Sequence, residues 1–315
     1  MSKREYVLGI ELGGGHATCG IAHRDGILAS RTMDVPPGSL LAPLLPAFTQ
    51  MLQTLLAELG IDPAQCAGLG LAFCGLVDVK RNRAWCVGGK YDDAVSLDLE
   101  PWCQQTFGLP FQMENDARLA LLGESVSGAA KGCNDVVMIL LGTGFGTAAI
   151  MEGRIVQGRY SLAAARGGHY TITLAPTLCF CGNIGCVETE ASTWLLGEIS
   201  KRREFSSLSV PPGRVYSDFR SLLKACEAKD PGALALLEHC LRVWSAATIT
   251  MVHAYDANTV ILGGGVMRAS ALILPQLTTL IQKHAWTPWG TLDVRQAELG
   301  EDAALLGMTR LFDLA

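Results

Sequence analysis

Charge is scarce in this chain: Asp, Glu, Lys and Arg make up 17% of its 315 residues, and no charge run or low-complexity tract occurs. With 49% hydrophobic residues, that scarcity excludes a disordered chain and leaves ample material for a core. Basic excess is missing too. Lys and Arg number 25 against 30 acidic residues, a net charge of −5, which gives nucleic acid no electrostatic footprint. No stretch reaches about 20 uninterrupted apolar residues, so no membrane span is expected. The most apolar run, from Val136 to Met151, is broken by Gly142, Gly144 and Gly146. The opening MSKREYVLGIELGGG has no apolar h-region and does not read as a signal peptide. Eleven cysteines are too few for a disulfide scaffold and, being odd, cannot all pair. These absences point to a soluble, cytoplasmic protein.

Glycine is what the chain has in excess, and two stretches use it alike. Tyr6 to Ile21 and Val136 to Ile150 each run apolar, then glycine-rich, then β-prone, as hairpins whose tips need room or positive φ. Strands are expected near Ile27–Met33, Ala67–Phe73, Pro110–Met113 and Thr259–Leu262. Helices are expected over Leu40–Leu59, from Asp116, over Ser192–Arg203, Tyr216–Ala228 and Gly232–Tyr255, and over Asp302–Leu314. Two α/β halves, each opened by a glycine-tipped hairpin, suggest a duplicated domain with a cleft between. The first would cover residues 1–116 plus about 298–315, the second 117–297.

Successive N–H groups at a glycine tip can cradle a phosphate. Gly13 and Gly14, then Gly142, Thr143 and Gly144, and a third cluster at Gly263 to Gly265 are such candidates. No Gly-Lys-Ser/Thr ending of a P-loop occurs. His169, Cys179, Cys181 and Cys186 form a Cys3His set suited to tetrahedral structural zinc, the alternative being three reduced thiols and a packed imidazole. Glu114-Asn115-Asp116 ends a strand and opens a helix, so Asp116 reads either as a general base or as part of a helix cap.

The chain resembles sugar kinases of the ROK family, within the actin/hexokinase/Hsp70 ATPase superfamily. The likeness rests on GIELGGGH (Gly9 to His16), FCGLVD (Phe73 to Asp78), ENDARLALLGE (Glu114 to Glu124), LGTGFGTAAI, GGHYTI, CFCGNIGCVE, DANTVILGGGV and LGEDAALLG. In layout it is closest to glucokinase-, allose kinase- and N-acetylhexosamine kinase-type members. The resemblance implies two RNase H-like domains and phosphorylation of a hexose hydroxyl by ATP and Mg²⁺, with Asp116 as base. It implies sugar contacts from Asn115, Glu188, His169 and Gly75, phosphate turns at Gly13, Gly14, Gly142, Thr143 and Gly144, and an adenosine side at Gly264 and Gly265. A homodimer is implied as well. Regulators of this family carry a helix-turn-helix segment before this region, for which the first strand, starting by Tyr6, leaves no room.

Departures from the family pattern open two further readings. Glu11, expected near magnesium, and Gly15 stand where the family usually has Asp and Thr, which suggests a catalytically weak sugar-binding or regulatory protein. Arg166 stands where the family has a sugar-binding Glu, and Gly88-Gly89-Lys90-Tyr91 replaces a loop bearing Asn. Arg166 and Lys90 either extend into solvent or hold an acidic or unusual sugar.

Overall fold

The computed structural model describes residues 4–86 and 89–314; Gly88 of the substituted loop lies outside them. The chain divides into two units, one of residues 1–133, 154–165 and 297–315, the other of 134–153 and 166–296.

In the first unit β1 (Tyr6–Leu12), β2 (His16–His23) and β3 (Gly26–Asp34) form an antiparallel meander. Then come α1 (Leu45–Leu59), β4 (Cys66–Phe73), the two-stranded hairpin β5 (Leu76–Asp78) and β6 (Arg83–Cys86), α2 (Leu99–Phe107), β7 (Phe111–Asn115) and α3 (Asp116–Ser127). The sheet order is β3-β2-β1-β4-β7, with β4 and β7 parallel to β1. Phe48, Leu52, Leu55 and Leu56, at helical spacing on α1, fill one face of that sheet together with Leu8, Ile10 and Leu12.

The second unit repeats the plan. It contains β8 (Val136–Leu141) and β9 (Phe145–Met151) and, after the first unit's segment 154–165 with its two-residue β10 (Arg154–Ile155), the short helices α4 (Val187–Ala191), α5 (Thr193–Ser200) and α6 (Arg203–Ser206). After these run α7 (Phe219–Glu227), α8 (Pro231–Tyr255), β11 (Thr259–Gly263), α9 (Ser270–His284) and β12 (Asp293–Gln296). The order β9-β8-β11-β12 matches β2-β1-β4-β7 of the first sheet position for position, with β8–β9 antiparallel and β8–β11–β12 parallel. This is the duplicated α/β plan that the two hairpins suggested.

The chain closes with α10 (Ala303–Gly307), which packs in the first unit on α3. The helices cross at glycines: a Cβ on Gly123 would lie 1.9 Å from the Ala303 carbonyl oxygen, and one on Gly307 would lie 2.0 Å from that of Leu119. Helix α3 therefore belongs to the first unit, and the division falls after it, at 133, where 116 was expected. Four expected helices are also shorter: α1 starts at Leu45 rather than Leu40, and α7 runs over Phe219–Glu227 rather than Tyr216–Ala228. Ser192–Arg203 breaks at Arg202, whose extended backbone lets its guanidinium reach Glu190, and the tail is helical only to Gly307 before a 3-10 turn to Phe312.

Candidate active site

The candidate side chains of the first unit stand at the carboxyl ends of its parallel strands, where open sheets of this kind bind ligands. Phe73 pairs with Asn115 across β4 and β7, and Glu11 with Ala72 across β1 and β4. Asn115 is the N-cap of α3: its Oδ1 accepts from the Arg118 amide at 3.3 Å, and its Nδ2 donates to Gly75 O and to Asp116 Oδ1, at 3.2 and 2.8 Å. The Ala117 amide gives Asp116 Oδ1 a second bond at 2.8 Å. Capping thus falls to Asn115, and both of these bonds to the Asp116 side chain fall on Oδ1. Burial outweighs these bonds and raises the Asp116 carboxyl to about 6, between its ordinary range and neutrality.

Burial, then the charges of Asp116, Glu301 and Asp302, push Glu11 up to about 8. A carboxyl raised by neighbouring carboxylates in this way fits a divalent cation, whose charge would let it ionise beside them.

The Gly13–Gly15 turn is held from outside. Lys90 Nζ donates to the carbonyls of Gly13, Gly14 and Val35 at 3.0, 3.1 and 3.4 Å, and Val35 N donates to Gly15 O at 2.9 Å. Lys90 therefore neither points freely into solvent nor offers its ammonium to a sugar; it secures the carbonyl side of the turn. The Gly14 and Gly15 amides keep no protein acceptor among the described residues.

In the second unit the Gly142–Phe145 turn is tied to the helices that follow the cysteine-rich loop. Thr193 Oγ1 donates to Gly142 O at 2.6 Å and the Trp194 amide to Thr143 O at 3.2 Å. Glu188, on α4, accepts from the Phe145 amide at 3.1 Å and from Trp194 Nε1 at 3.2 Å. A Cβ on Gly144 would sit 2.5 Å from Glu188 Oε1, so only glycine leaves room for that carboxylate. Helix α4 is anchored by Trp244 Nε1 on Ala191 O and by Arg202 and His239 on Glu190, whose carboxyl they pull down to about 2 despite burial. Gly264, at φ 88°, lies where a Cβ would meet Leu141 O at 2.4 Å, so the third glycine cluster backs the second turn. Arg166 is exposed: its carbonyl accepts from the His169 amide at 3.0 Å, while its guanidinium has no hydrogen-bond or ion-pair partner among the described residues.

His169, Cys179, Cys181 and Cys186 come together as the spacing predicted, with all four donor atoms within 4.8 Å of one another. His169 Nδ1 lies 3.6 Å from Cys179 Sγ, and Cys181 Sγ lies 3.7 Å from Cys186 Sγ. A tetrahedron with zinc–sulfur bonds of about 2.3 Å and a zinc–nitrogen bond of about 2.0–2.1 Å has edges of about 3.5–3.8 Å, so the residues fit zinc. Gly182 and Gly185, both at positive φ, fold the loop back on itself, and Asn183 Nδ2 approaches Cys186 Sγ at 3.5 Å.

A family model described as "ROK family" matches residues 7–314. The chain belongs to the ROK family. It is 26% identical over 308 residues to the glucokinase of Thermotoga maritima, covering 96% of this chain and 95% of the relative. It is 23% identical over 262 residues to the xylose repressor of Bacillus spizizenii, covering 83% of this chain and 65% of the repressor. Among solved structures, a ROK-family glucokinase from Streptomyces griseus in complex with glucose and AMPPNP aligns with a TM-score of 0.78 at 26% identity, over 97% of this chain and 98% of that one. The mixed α/β architecture is that of these ROK structures.

Within this ROK chain, sequence reasoning missed the frame behind Asp116. Glu114 and Arg118 are fully buried and paired at 3.1 Å. Arg118 also donates to Ser161 O at 2.7 Å and Ala163 O at 2.6 Å, while Glu114 Oε2 accepts from Gln157 Nε2 at 3.0 Å. Trp194 was missed as well. An i, i+4 acid–base pair is visible in ENDAR, but such pairs are ordinarily solvated and carry no signal of burial.

Proposed function

We propose that this ROK protein transfers the γ-phosphoryl group of ATP to a hydroxyl of a hexose or hexose derivative, with Asp116 as the general base. One observation carries the reading: a carboxylate at a strand end, fixed through Oδ1 by Asn115 and Ala117 and raised to about 6 by burial. Such a group is ionised at neutral pH yet basic enough to accept a proton as the hydroxyl attacks. The relatives named glucokinase, and the AMPPNP and glucose in the Streptomyces griseus structure, support the substrate classes.

Asn115 and Gly75 would hold the sugar beside the base. Glu188 retains lone pairs beyond those used by Phe145 and Trp194, so it can still accept from sugar hydroxyls. The Gly14 and Gly15 amides, and the Gly142-Thr143-Gly144 turn with the Thr143 hydroxyl, would receive the phosphates, with Gly264 and Gly265 toward the adenosine. Glu11 would hold Mg²⁺, which neutralises phosphate charge when bound. His169 and the three thiols would hold a structural zinc that sets the loop leading into Glu188. The resemblance supports a homodimer, and free thiols at the described cysteines support a reducing compartment.

ATP turnover across a panel of neutral hexoses, N-acetylhexosamines and uronates tests the reading. Sugar-dependent ADP formation that disappears in Asp116→Asn is expected. Sugar binding without turnover in the native chain would instead favour a regulatory sugar-binding protein, the reading to which Glu11 and the xylose-repressor likeness lend support.

A further inference from the structure

An acidic ligand needs cations that face one space and are not already spent. Lys90 is spent on main-chain carbonyls. A different set qualifies. Lys80, Arg81 and Arg159, with Asp78 and Tyr160, line a cavity of about 480 Å³ in the first unit, within the usual range of about 300–1,000 Å³ for small-molecule sites. Arg81 Nη1 is fixed by Asp78 Oδ2 at 3.0 Å, which uses one cation and the one carboxylate. Lys80 and Arg159 then leave the cavity two positive charges in excess, in a chain whose net charge is −5.

The wall is built, not frayed. Arg159 and Tyr160 sit at the tip of a loop whose Gly158, Ser161 and Ala164 all adopt positive φ, a conformation that two of those residues take only under constraint. The constraint is visible: Arg118 grips the Ser161 and Ala163 carbonyls from inside, Glu114 grips Gln157, and Ala163 N closes the loop on Gln157 O at 3.0 Å. The Arg159 guanidinium lies 5.5 Å from the Tyr160 ring centre, so its plane is supported while its donors stay available. On the facing side, Asn82 holds the hairpin bearing Lys80 and Arg81 to β7 through Phe111 O and Met113 N.

We propose that Lys80 and Arg159, with Arg81 held beside them by Asp78, form a binding site for the phosphate monoester of a phosphorylated sugar. Two excess charges match a phosphate dianion better than a single carboxylate, and guanidinium forks suit its oxygens. The volume leaves space for the sugar, and the Tyr160 ring offers it a face.

The test reads binding, not turnover, so its outcome is separate from that of the kinase reading. Calorimetric titrations of the full chain with glucose 6-phosphate, inorganic phosphate, glucuronate and glucose would be compared with the same titrations of Lys80→Gln/Arg159→Gln. Both side chains are exposed, and an unchanged melting temperature would show the double variant folded. Glucose 6-phosphate is expected to bind more tightly than inorganic phosphate or glucuronate, to weaken with salt, and to lose at least about tenfold in affinity in the double variant. Unchanged affinity in the variant, or no saturable binding of glucose 6-phosphate, would overturn the site. Binding of inorganic phosphate as tight as that of the sugar phosphate, or tighter binding of glucuronate, would overturn the assignment of its ligand.

Discussion

Arg118 and Glu114 face each other at 3.1 Å with neither side chain exposed, and every other bond they make holds backbone or a neighbour of the 157–163 loop or of α3. Removing one member strands a buried charge. Arg118→Met is expected to cost about 3–5 kcal/mol, a drop in Tm on the order of 10 °C. Glu114→Gln with Arg118→Met should recover part of it. Hydrogen exchange of residues 157–164 checks the local effect, since loosening of the loop should exceed that elsewhere in the chain.

Asp116 governs a pH profile. With the carboxyl raised to about 6, turnover should fall tenfold per pH unit below that value and level off above it. Its raised value favours folding while the group is protonated, fully so below about 3.8, and that contribution is lost as pH rises through about 6. Asp116→Asn should therefore raise Tm at pH 8 while lowering kcat about 100- to 10,000-fold. Thermal melts at pH 4 and 8, paired with turnover, give both readings.

Glu11 obeys the same sign over a higher window. Its stabilising contribution, complete below about 4.5, is lost as pH rises through about 8, because the ionised form is buried among other carboxylates. Glu11→Gln should raise Tm at pH 8 by about 2 °C or more and leave it nearly unchanged at pH 4. Magnesium should raise the Tm of the native chain at pH 8 more than that of the variant.

Metal analysis should find about one zinc per chain. A strong chelator, or Cys181→Ser, should release it, lower Tm and weaken sugar affinity through Glu188, which lies just beyond Cys186. Absence of zinc from protein grown with ample metal would remove this reading.

Gly144→Ala should displace the Glu188 carboxylate, since the added methyl would lie 2.5 Å from Oε1. Sugar affinity should fall about 10- to 100-fold with little change in Tm. Restoration by a second change at Trp194, freeing Glu188 to move, would show that displacement is the cause.

What was legible in the sequence was what has a short-range signature. The two glycine-tipped hairpins, the long helix of Pro231–Tyr255 and the Cys3His cluster all declare themselves within a few residues, because turn geometry, periodicity and ligand spacing are local. The hairpin of Leu76–Cys86 was missed because it is short, charged and turned by Asn82 in the left-handed region rather than by glycine. Asp116 could be read as base or cap until Asn115 was seen to hold the cap. Lys90 was misjudged because its partners are backbone carbonyls 55 to 77 residues away, which no side-chain pattern announces. The buried Arg118 was hidden for the same reason.

The packing of α10 on α3 dictates an order of assembly. Residues 297–315 complete the unit that begins the chain, yet they are translated after all of 166–296. Until they arrive, Val7, Ala72, Leu119 and Leu122 have no Leu305 or Met308 to cover them, and the nascent amino-terminal half presents that bare surface to chaperones. A chain ending at residue 296 would hold a finished second unit tethered to an unfinished first.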